Sequence, residues 1–510
     1  MATRKRKSSS QTKRQDSEAE KSVIAYSRGS SLHGIYQPLT ETEVARIHSS
    51  ALELLETVGM SGATPRVLEV ALQSGCSVSK SGRLLFPAAL VEHCIDRAAK
   101  RFIVHARDPA LDFEATNDRV NFCTGGAAVR MLDPENRSYR PSTLTDLYDL
   151  ARLCDTLENI QWFTRPVVIN DVTDSFEFDV NTVYACAAGT KKHIATSITR
   201  GDHLFRMMPM LDTLSGQSAG FRSRPFCTVH ATTVVSPMTF APDSLDVACA
   251  ATDLGVPIHL QTGPQSGATA PAALAGTLVQ VCAETLASLT VINMLQPGHP
   301  VVLGMWVMVS DLRTGAFSGG GGEQALLGAA AGQMCRFYGV PGGMGAGMTD
   351  SKVPDNQAGF EKGLSVALAA LSGCGFVLES AGMLGSLLGC SHAAMVIDND
   401  MLSSIRRIGR GIDVSDESLS VNVIRNVVDG PGHFLGESQT MALMKSEYVY
   451  PRQSDRMSPE DWYESGAWDM WQRAEQYAQH VLQKHRPRHI GDNEDSLIRD
   501  GFPIHLTRSW

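Results

Sequence analysis

The sequence lacks paired cysteines, a basic surplus and an obvious secretion signal. Its 11 cysteines are scattered and form no C-x-x-C motif, so a compact zinc or redox site is excluded. Scattered thiols in odd number, without a signal peptide, are typical of a reduced, cytoplasmic protein. The net charge of -9 argues against a nucleic-acid-binding protein, because phosphate recognition needs a basic surface.

Several familiar catalytic signatures are also missing or misplaced. The chain has neither a G-x-x-x-x-G-K-[ST] phosphate loop nor an H-E-x-x-H zinc motif. GQSAG at 216–220 matches the G-x-S-x-G pattern of serine hydrolases, but it lies in a polar loop with no helix after it. Uncharged runs at 285–310 and 363–378 are interrupted by polar residues or are too short to span a bilayer, so we expect a buried helix and a buried strand there.

Composition and periodicity divide the chain into four parts. Residues 1–35 are polar, begin with a basic cluster and are predicted to be a disordered tail. Residues 36–150 are predicted to form a cap of helices and extended segments, whose first helix starts with a capping box at Thr40. Residues 151–400 alternate apolar runs with helical patterns, and residues 401–510 read as a helical extension of the same domain.

The alternation within 151–400 gives eight candidate strands. They are 162–170, 193–199, 226–235, 257–263, 300–309, 340–347, 375–380 and 393–398. Uncharged strands separated by helices are what an α/β protein with a parallel sheet requires, because helices cover both faces of the sheet. An open doubly wound sheet shows the same alternation, but eight units and the missing phosphate loop favour a (β/α)8 TIM barrel, which carries its active site at the carboxyl ends of the strands.

Three strand histidines raise the alternative of a metal-dependent barrel hydrolase. His193 and His259 stand at the starts of their strands, which is the end of a barrel that serves stability. Only His230 is placed for a site, so we predict no metal.

Glycine is concentrated in one stretch, where 12 of the 33 residues at 315–347 are Gly. Glycine lets backbone approach a ligand closely. Two such clusters after neighbouring strands therefore predict a cavity for a bulky ligand at the barrel mouth. The residues assigned to it are Gly319, Gly320, Gly321, Gly322, Gly345 and Gly347.

Three long strings then resemble a known family. They are MWVMVSDLRTGAFSGGGGEQALLGAAAGQMCRFYGVPGGMGAGMTDSKVPDNQAGFEK (305–362), GPGHFLGESQT (430–440) and EYVYPRQSDRMSPEDWYESGAWD (447–469). They resemble the trimethylamine methyltransferase (MttB) superfamily over residues 36–480. The resemblance implies a (β/α)8 barrel that transfers a methyl group from a methylated amine to the Co(I) corrinoid (cobalamin) of a separate partner protein, with no cofactor held by this chain.

The resemblance also indicates the branch of the family. Its trimethylamine enzymes carry pyrrolysine, which would align with Val353 here, whereas this chain has only standard residues. It therefore resembles the non-pyrrolysine branch, whose members demethylate quaternary amines such as glycine betaine. A small-molecule quaternary amine and a cognate corrinoid protein are the expected partners, without nucleic acid or membrane, and we expect a homo-oligomer.

A quaternary ammonium group favours aromatic faces, at ~0.5–2 kcal/mol each, because it cannot donate ordinary hydrogen bonds. The candidate aromatic residues are Phe163, Trp306, Phe317 and Phe360, with Trp162 as the choice if the strand register shifts by one. Glu379, which we class as catalytic, and Glu323 would add negative potential. Arg165, Arg313, His230 and His433 would hold the carboxylate of a betaine.

Two alternatives stay open beside a methyltransferase. One is a methylamine-binding or sensing protein that is catalytically inert. The other is the metal-dependent barrel hydrolase built around His230.

Overall fold

The computed structural model describes residues 36–507, and its centre is a closed barrel of eight parallel strands. The strands are β1 (Asn121–Thr124), β2 (Trp162–Thr164), β3 (His193–Thr196), β4 (Cys227–Thr232), β5 (Ile258–Thr262), β6 (Val301–Met305), β7 (Gly342–Gly345) and β8 (Phe376–Ala381). Each strand pairs with its predecessor in the chain, and β8 pairs with β1 to close the ring. This confirms the predicted α/β class and the (β/α)8 barrel.

The helices form three groups along the chain. Before the barrel come α1 (Glu41–Thr57), α2 (Pro65–Gln73) and α3 (Ala88–Arg97). One helix follows each barrel strand in turn: α4 (Leu144–Asp155), α5 (Ser175–Gly189), α6 (Gly201–Ser215), α7 (Pro242–Leu254), α8 (Leu274–Leu295), α9 (Gly322–Tyr338), α10 (Asn356–Leu371) and α11 (His392–Gly409). After the barrel come α12 (Val421–Val428), α13 (Ser438–Leu443), α14 (Pro459–Glu464), α15 (Met470–Lys484) and α16 (Asp492–Gly501).

Local sequence explains several helix starts. Thr40 accepts a hydrogen bond from the Glu43 N–H while the Glu43 carboxylate binds the Thr40 N–H, which confirms the predicted capping box. Thr143 and Asp146 repeat the arrangement at α4. Among the described helices, α8 is the one long and apolar enough to cross a membrane, and 83% of its most apolar stretch is buried inside the molecule.

Seven of the eight predicted barrel strands are confirmed, and the eighth was wrong. Residues 393–398 lie in α11, because Ser391 caps the helix by accepting a hydrogen bond from the Ala394 N–H. The missing strand is β1, which lies within 36–150, the segment expected to cap the barrel. It is only four residues long, so its period-2 pattern is too short to distinguish it from the hairpins around it.

Small sheets cover both ends of the barrel. Strands 102–104 and 113–115 pair as a hairpin at the amino-terminal end, where Val104 and Ala115 pack with Trp162 and Phe376 in one apolar cluster. At the opposite end, loops after β1 and β8 share a sheet, and loops after β5 and β6 share another. These loop sheets fix the mouth of the barrel. The predicted tail, residues 1–35, lies outside the described residues.

Candidate active site

Glu379 is a buried carboxyl group at the carboxyl end of β8. Its backbone has a φ of +65°, a conformation that is rare outside glycine and is concentrated at functional sites. The Gly126 N–H donates to its Oε2 at 2.8 Å, while its Oε1 has no hydrogen-bond partner within residues 36–507. Burial raises the pKa of Glu379 to about 8, against the smaller opposing effects of the Gly126 N–H and of Lys362. At neutral pH this group is therefore mainly protonated.

Glycines on neighbouring loops make the space for Glu379. A Cβ on Gly125 would lie 2.6 Å from its Oε2, and a Cβ on Gly347 would lie 2.6 Å from its carbonyl oxygen. Gly347 also has a φ of +100°. Sequence reasoning identified Glu379 but missed Gly125 and Gly126, because it assigned NFCTGG to the cap; a short apolar run ending in two glycines was the available signal.

A row of four aromatic rings lines the barrel interior. Ring centroids are 6.3 Å apart between Trp162 and His230, 4.5 Å between His230 and His259, and 6.4 Å between His259 and Trp306. Within the described chain, no partner is found for the indole N–H of either tryptophan, for His230 Nε2 or for either ring nitrogen of His259. Buried polar atoms without partners are uncommon and point to a bound ligand or water.

The two histidines in this row are neutral. Burial lowers the pKa of His259 to about 3 and holds the pKa of His230 well below its ordinary value. The row is therefore an uncharged aromatic surface, which suits a cation better than imidazolium rings would.

Trp306 stands at the mouth end of the row. It follows β6, is 6% exposed, and its Cδ2 would lie 3.3 Å from a Cβ on Gly345. The missing side chain at 345 thus leaves room for the indole ring.

Arg165 directly follows β2 and is buried without an acceptor. Its guanidinium lies 5.5 Å from the ring centre of Phe178, and within residues 36–507 it donates no hydrogen bond and forms no ion pair. Burial lowers its pKa, and its charge contributes to the lowered pKa of His230. The Asp179 carboxylate opposes the lowering of the Arg165 pKa from a distance, but no carboxylate within residues 36–507 lies at ion-pair distance, so this position favours an anionic ligand group.

The remaining predicted aromatics do not join the row. Phe163 is fully buried in the main core, whereas Trp162, the alternative for a shifted register, belongs to the barrel interior. Phe360 is 63% exposed on α10. Phe317 is half-buried in a short strand that pairs with 308–310.

Arg313 and Glu323 lie together in a different cavity. They line a space of about 360 Å³ with Ser266, Ser310 and other residues of the loops after β5 and β6, and neither Glu379 nor Trp306 lines it. Arg313 is largely exposed and already paired with Asp311, at 2.6 Å. His433 is exposed on the segment after α12. The structure does not bring these residues to the Glu379 site.

Val353 and the glycine loops have packing roles. Val353 contacts a small apolar cluster of Leu132, Ala358, Leu384 and Ala394, apart from the aromatic row. Gly319 and Gly347 are buried, and a Cβ on Gly320 would lie 2.1 Å from the carboxyl carbon of Glu361. Only Gly322 of the six predicted loop glycines is exposed, with Gly320 and Gly321 intermediate.

Asp350 ties the mouth loops together, a role that sequence reasoning missed. Its carboxylate accepts hydrogen bonds from Ser318 Oγ at 2.8 Å, the Gly319 N–H at 2.7 Å and Ser386 Oγ at 2.6 Å. These donors come from the loops after β6 and β8. The TDSK string therefore holds the mouth in shape.

The strand histidines do not form a metal-ligating group in the described part of the chain. His193 is engaged with the His105 carbonyl at 2.7 Å and with Thr228 Oγ1 at 2.8 Å. The one candidate group found in residues 36–507 is Asp155 with His485 and His489. Asp155 is the last residue of α4, so the group lies at the end of the barrel away from the mouth.

The fold is a (β/α)8 barrel with a buried carboxylic acid near its mouth and a row of aromatic rings in its interior. Enzymes built on this barrel carry their active sites among the loops that follow the strands. The family model described as "Trimethylamine methyltransferase (MTTB)" matches residues 3–502. The chain belongs to this family, as the three strings had indicated.

Individual relatives of the chain are methyltransferases of the same kind. The chain is 29% identical to the trimethylamine methyltransferase MttB of Desulfitobacterium hafniense over 463 residues, covering 90% of this chain and 92% of the relative. It is 30% identical to the MttB of Methanosarcina barkeri, covering 88% and 90%. It is 28% identical to a glycine betaine methyltransferase from Desulfitobacterium hafniense, covering 91% and 96%. Among solved structures, the monomethylamine methyltransferase of Methanosarcina barkeri matches with a TM-score of 0.46 and 13% identity, covering 87% of this chain and 93% of that one.

Proposed function

We propose that this member of a methyltransferase family demethylates a quaternary amine, with glycine betaine as the best single candidate. The methyl acceptor is the Co(I) corrinoid of a separate cytoplasmic protein, which supplies the nucleophile when it docks at the barrel mouth. The chain itself carries no D-x-H-x-x-G corrinoid motif. Relatives named as trimethylamine and glycine betaine methyltransferases support an amine substrate.

The charge of the substrate explains why a pyrrolysine-free site is sufficient. A quaternary ammonium nitrogen already has four bonds to carbon, so when one methyl group is displaced the amine leaves neutral. No proton has to be supplied to that nitrogen. The protein has to hold the cation, aim one methyl group at the mouth and exclude water, which is catalysis by positioning.

The aromatic row supplies the surface for the cation. Trp306 lies nearest the mouth with its indole N–H unpartnered, and the neutral His230 and His259 rings add no repulsive charge. Glu379 is protonated at neutral pH until a cation approaches, and then its ionised form becomes favourable. The site thus offers aromatic faces first and a carboxylate in response to positive charge.

Arg165 is the observation that favours a betaine over a simple ammonium ion. A buried guanidinium without an acceptor can pair with a carboxylate through two parallel hydrogen bonds. In this proposal the substrate carboxylate binds Arg165 while its trimethylammonium group lies on the aromatic row.

A binding panel tests this assignment. Calorimetry on wild-type protein and Arg165→Gln would use glycine betaine and tetramethylammonium, which differ in the carboxylate. We expect the substitution to weaken glycine betaine binding by about 10- to 100-fold and to leave tetramethylammonium unchanged. Arg313→Gln is the matched control, since Arg313 is exposed and paired with Asp311, and it should bind both ligands normally. Equal losses for both ligands, or none, would remove Arg165 from carboxylate recognition.

The catalytically inert alternative makes a different prediction at the next step. A sensing protein would bind the amine in the same panel yet transfer no methyl group to a reduced corrinoid protein.

A further inference from the structure

Two histidines and an aspartate meet at the end of the barrel opposite the mouth. Asp155 ends α4, and His485 and His489 follow α15. The Nε2 atoms of both histidines lie close to the same carboxylate oxygen, Asp155 Oδ2, at 2.9 Å for His485 and 3.0 Å for His489. One nitrogen or oxygen atom from each side chain lies within 4.8 Å of the other two. The three side chains therefore point at one common space.

The segment that carries the two histidines, HRPRH at 485–489, is extended. Its backbone leaves the helical conformation at His485, with a φ of -81° and a ψ of 94°, and Pro487 cannot continue a helix. Alternate side chains of an extended segment point to the same side. Pro487 is buried and both histidines are partly buried, whereas Arg486 and Arg488 are exposed. The alternation thus turns both histidines inward, toward α4.

Neighbouring groups fix the orientation of the Asp155 carboxylate. Its other oxygen, Oδ1, accepts hydrogen bonds from Thr190 Oγ1 at 2.9 Å and from the Lys191 N–H at 3.1 Å. Oδ2 is left directed at the two imidazole rings. Carboxylates that bind metal ions are commonly oriented by such outer hydrogen bonds.

Two arginines anchor the backbone of the histidine segment. Arg152 Nε donates to the His485 carbonyl at 2.9 Å, and Arg107 donates to the His489 carbonyl at 2.8 Å. Both guanidinium groups are therefore engaged with main-chain oxygens. Within residues 36–507, no lysine or arginine side chain lies at ion-pair distance from the Asp155 carboxylate. A cation held between this carboxylate and the imidazoles would balance its charge.

The donor set suits one kind of cation. Two imidazole nitrogens and one carboxylate oxygen are ligands of Zn²⁺, which then takes water as its fourth ligand, whereas Mg²⁺ and Ca²⁺ prefer oxygen ligands alone. The H-x-x-x-H spacing falls within the range found at zinc sites. Tetrahedral bonds of ~2.0–2.1 Å place ligand atoms about 3.3 Å apart, so the two nitrogen–oxygen distances need to open by only a few tenths of an ångström. The His485 side chain is 32% exposed, which gives water access to the space.

We propose that Asp155, His485 and His489 bind a Zn²⁺ ion that fastens the C-terminal extension to the barrel. The expectation of no metal concerned the strand histidines, and this group lies at the opposite end from Glu379. The ion takes no part in methyl transfer. It joins Asp155 to a residue 330 positions away in the chain, and a link between such distant residues restricts the unfolded chain strongly.

Metal titrations of the full-length protein, first stripped with a chelator and desalted, test the site. Co²⁺ should give the visible bands of a four-coordinate ion without thiolate charge-transfer bands, because all eleven cysteines are buried, and Zn²⁺ should displace it. His485→Ala and His489→Ala should each weaken Zn²⁺ binding by at least about 100-fold, since a direct ligand is lost. Asp155→Asn keeps a hydrogen-bond acceptor but removes the charge, and it should weaken binding similarly. Circular dichroism checks that each variant is folded.

His505→Ala is the matched control. His505 belongs to the same extension and contacts one carboxylate, Glu177, at 2.7 Å, but it has no third ligand within the described residues. This variant should bind one Zn²⁺ as wild type does. Wild-type protein that binds Zn²⁺ no more tightly than His489→Ala, or an equal loss in His505→Ala, would overturn the proposal. The titrations use neither amine nor corrinoid, so their outcome is independent of the proposed function.

Discussion

Glu379 concentrates the chemistry of the site in one residue. It combines a strained backbone, complete burial, one unpartnered oxygen and a pKa raised to about 8. The residue type and its place near a strand end were predictable from the sequence. Its protonation was not, because burial and the nearby Gly126 N–H depend on how β1 and β8 meet.

The raised pKa makes folding stability depend on pH. The folded protein keeps the Glu379 proton up to about pH 8, whereas the unfolded chain releases it near pH 4.5. The stabilisation that comes from this difference is therefore complete below about pH 4.5 and is lost as the pH rises through about 8. We expect Glu379→Gln, which mimics the protonated acid, to flatten the fall in unfolding free energy between about pH 5 and about pH 9. Urea denaturation of both proteins across this range measures it. Parallel pH profiles would mean that Glu379 titrates normally.

Binding of a cation should also expel the Glu379 proton. Tetramethylammonium, titrated at neutral pH in two buffers with different ionisation enthalpies, should give different apparent heats with wild-type protein because a proton is released. In Glu379→Gln the two heats should agree. Buffer-independent heats for wild-type protein would place the cation away from Glu379.

Trp306 should account for part of the affinity for the cation. Trp306→Ala is expected to weaken tetramethylammonium binding by roughly 3- to 30-fold, the range of one cation–π contact, and Trp306→Phe by less. Phe360→Ala, at a position 63% exposed on α10, is the control and should bind as wild type does. Undiminished binding by Trp306→Ala would exclude the indole from the site.

At the scale of elements, glycines let strand ends and loops approach each other. Gly347→Ala should destabilise the fold by about 2 kcal/mol or more, because its φ is +100° and the new Cβ would lie 2.6 Å from the Glu379 carbonyl oxygen. Gly359→Ala is the contrast, because Gly359 is exposed on α10 and a Cβ there would meet no atom within 4 Å. This substitution should raise the free energy of unfolding by up to about 1 kcal/mol. Chemical denaturation compares the two. Equal effects would show that loop packing does not depend on Gly347.

The barrel strands differ in how well the sequence predicts them. Seven barrel strands were predictable because apolar runs alternate with long helical patterns. β1 was not, since a strand of four residues carries too little pattern, and 393–398 is apolar in a way that suits strand or buried helix equally. The predicted roles of Phe163, Phe360 and Arg313 depended on which way each side chain points, and that is decided by register and loop contacts. Val353 was assigned only because it would align with pyrrolysine in the family that the chain resembles.

At the scale of the whole molecule, residues 36–507 form one closed barrel with additional helices before and after it. Glu379, Trp306 and Arg165 lie toward the mouth of the barrel, whereas Trp162 at the other end of the aromatic row lies near its amino-terminal end. Family membership and barrel were readable from unusual strings such as TDSKVPDNQAGFEK. The exposure of residues 411–446 was not, because an apolar helix in a sequence looks the same whether or not its own chain covers it.

The most direct test of the account is a methyl-transfer assay with purified components. Wild-type protein, its reduced cognate corrinoid protein and glycine betaine should convert the Co(I) absorbance to that of methyl-Co(III), with dimethylglycine formed in equal amount. Omitting the enzyme should abolish the conversion, and Arg165→Gln should slow it. Binding of glycine betaine without any methyl-Co(III), under conditions where the corrinoid protein accepts methyl groups from another donor, would contradict the account.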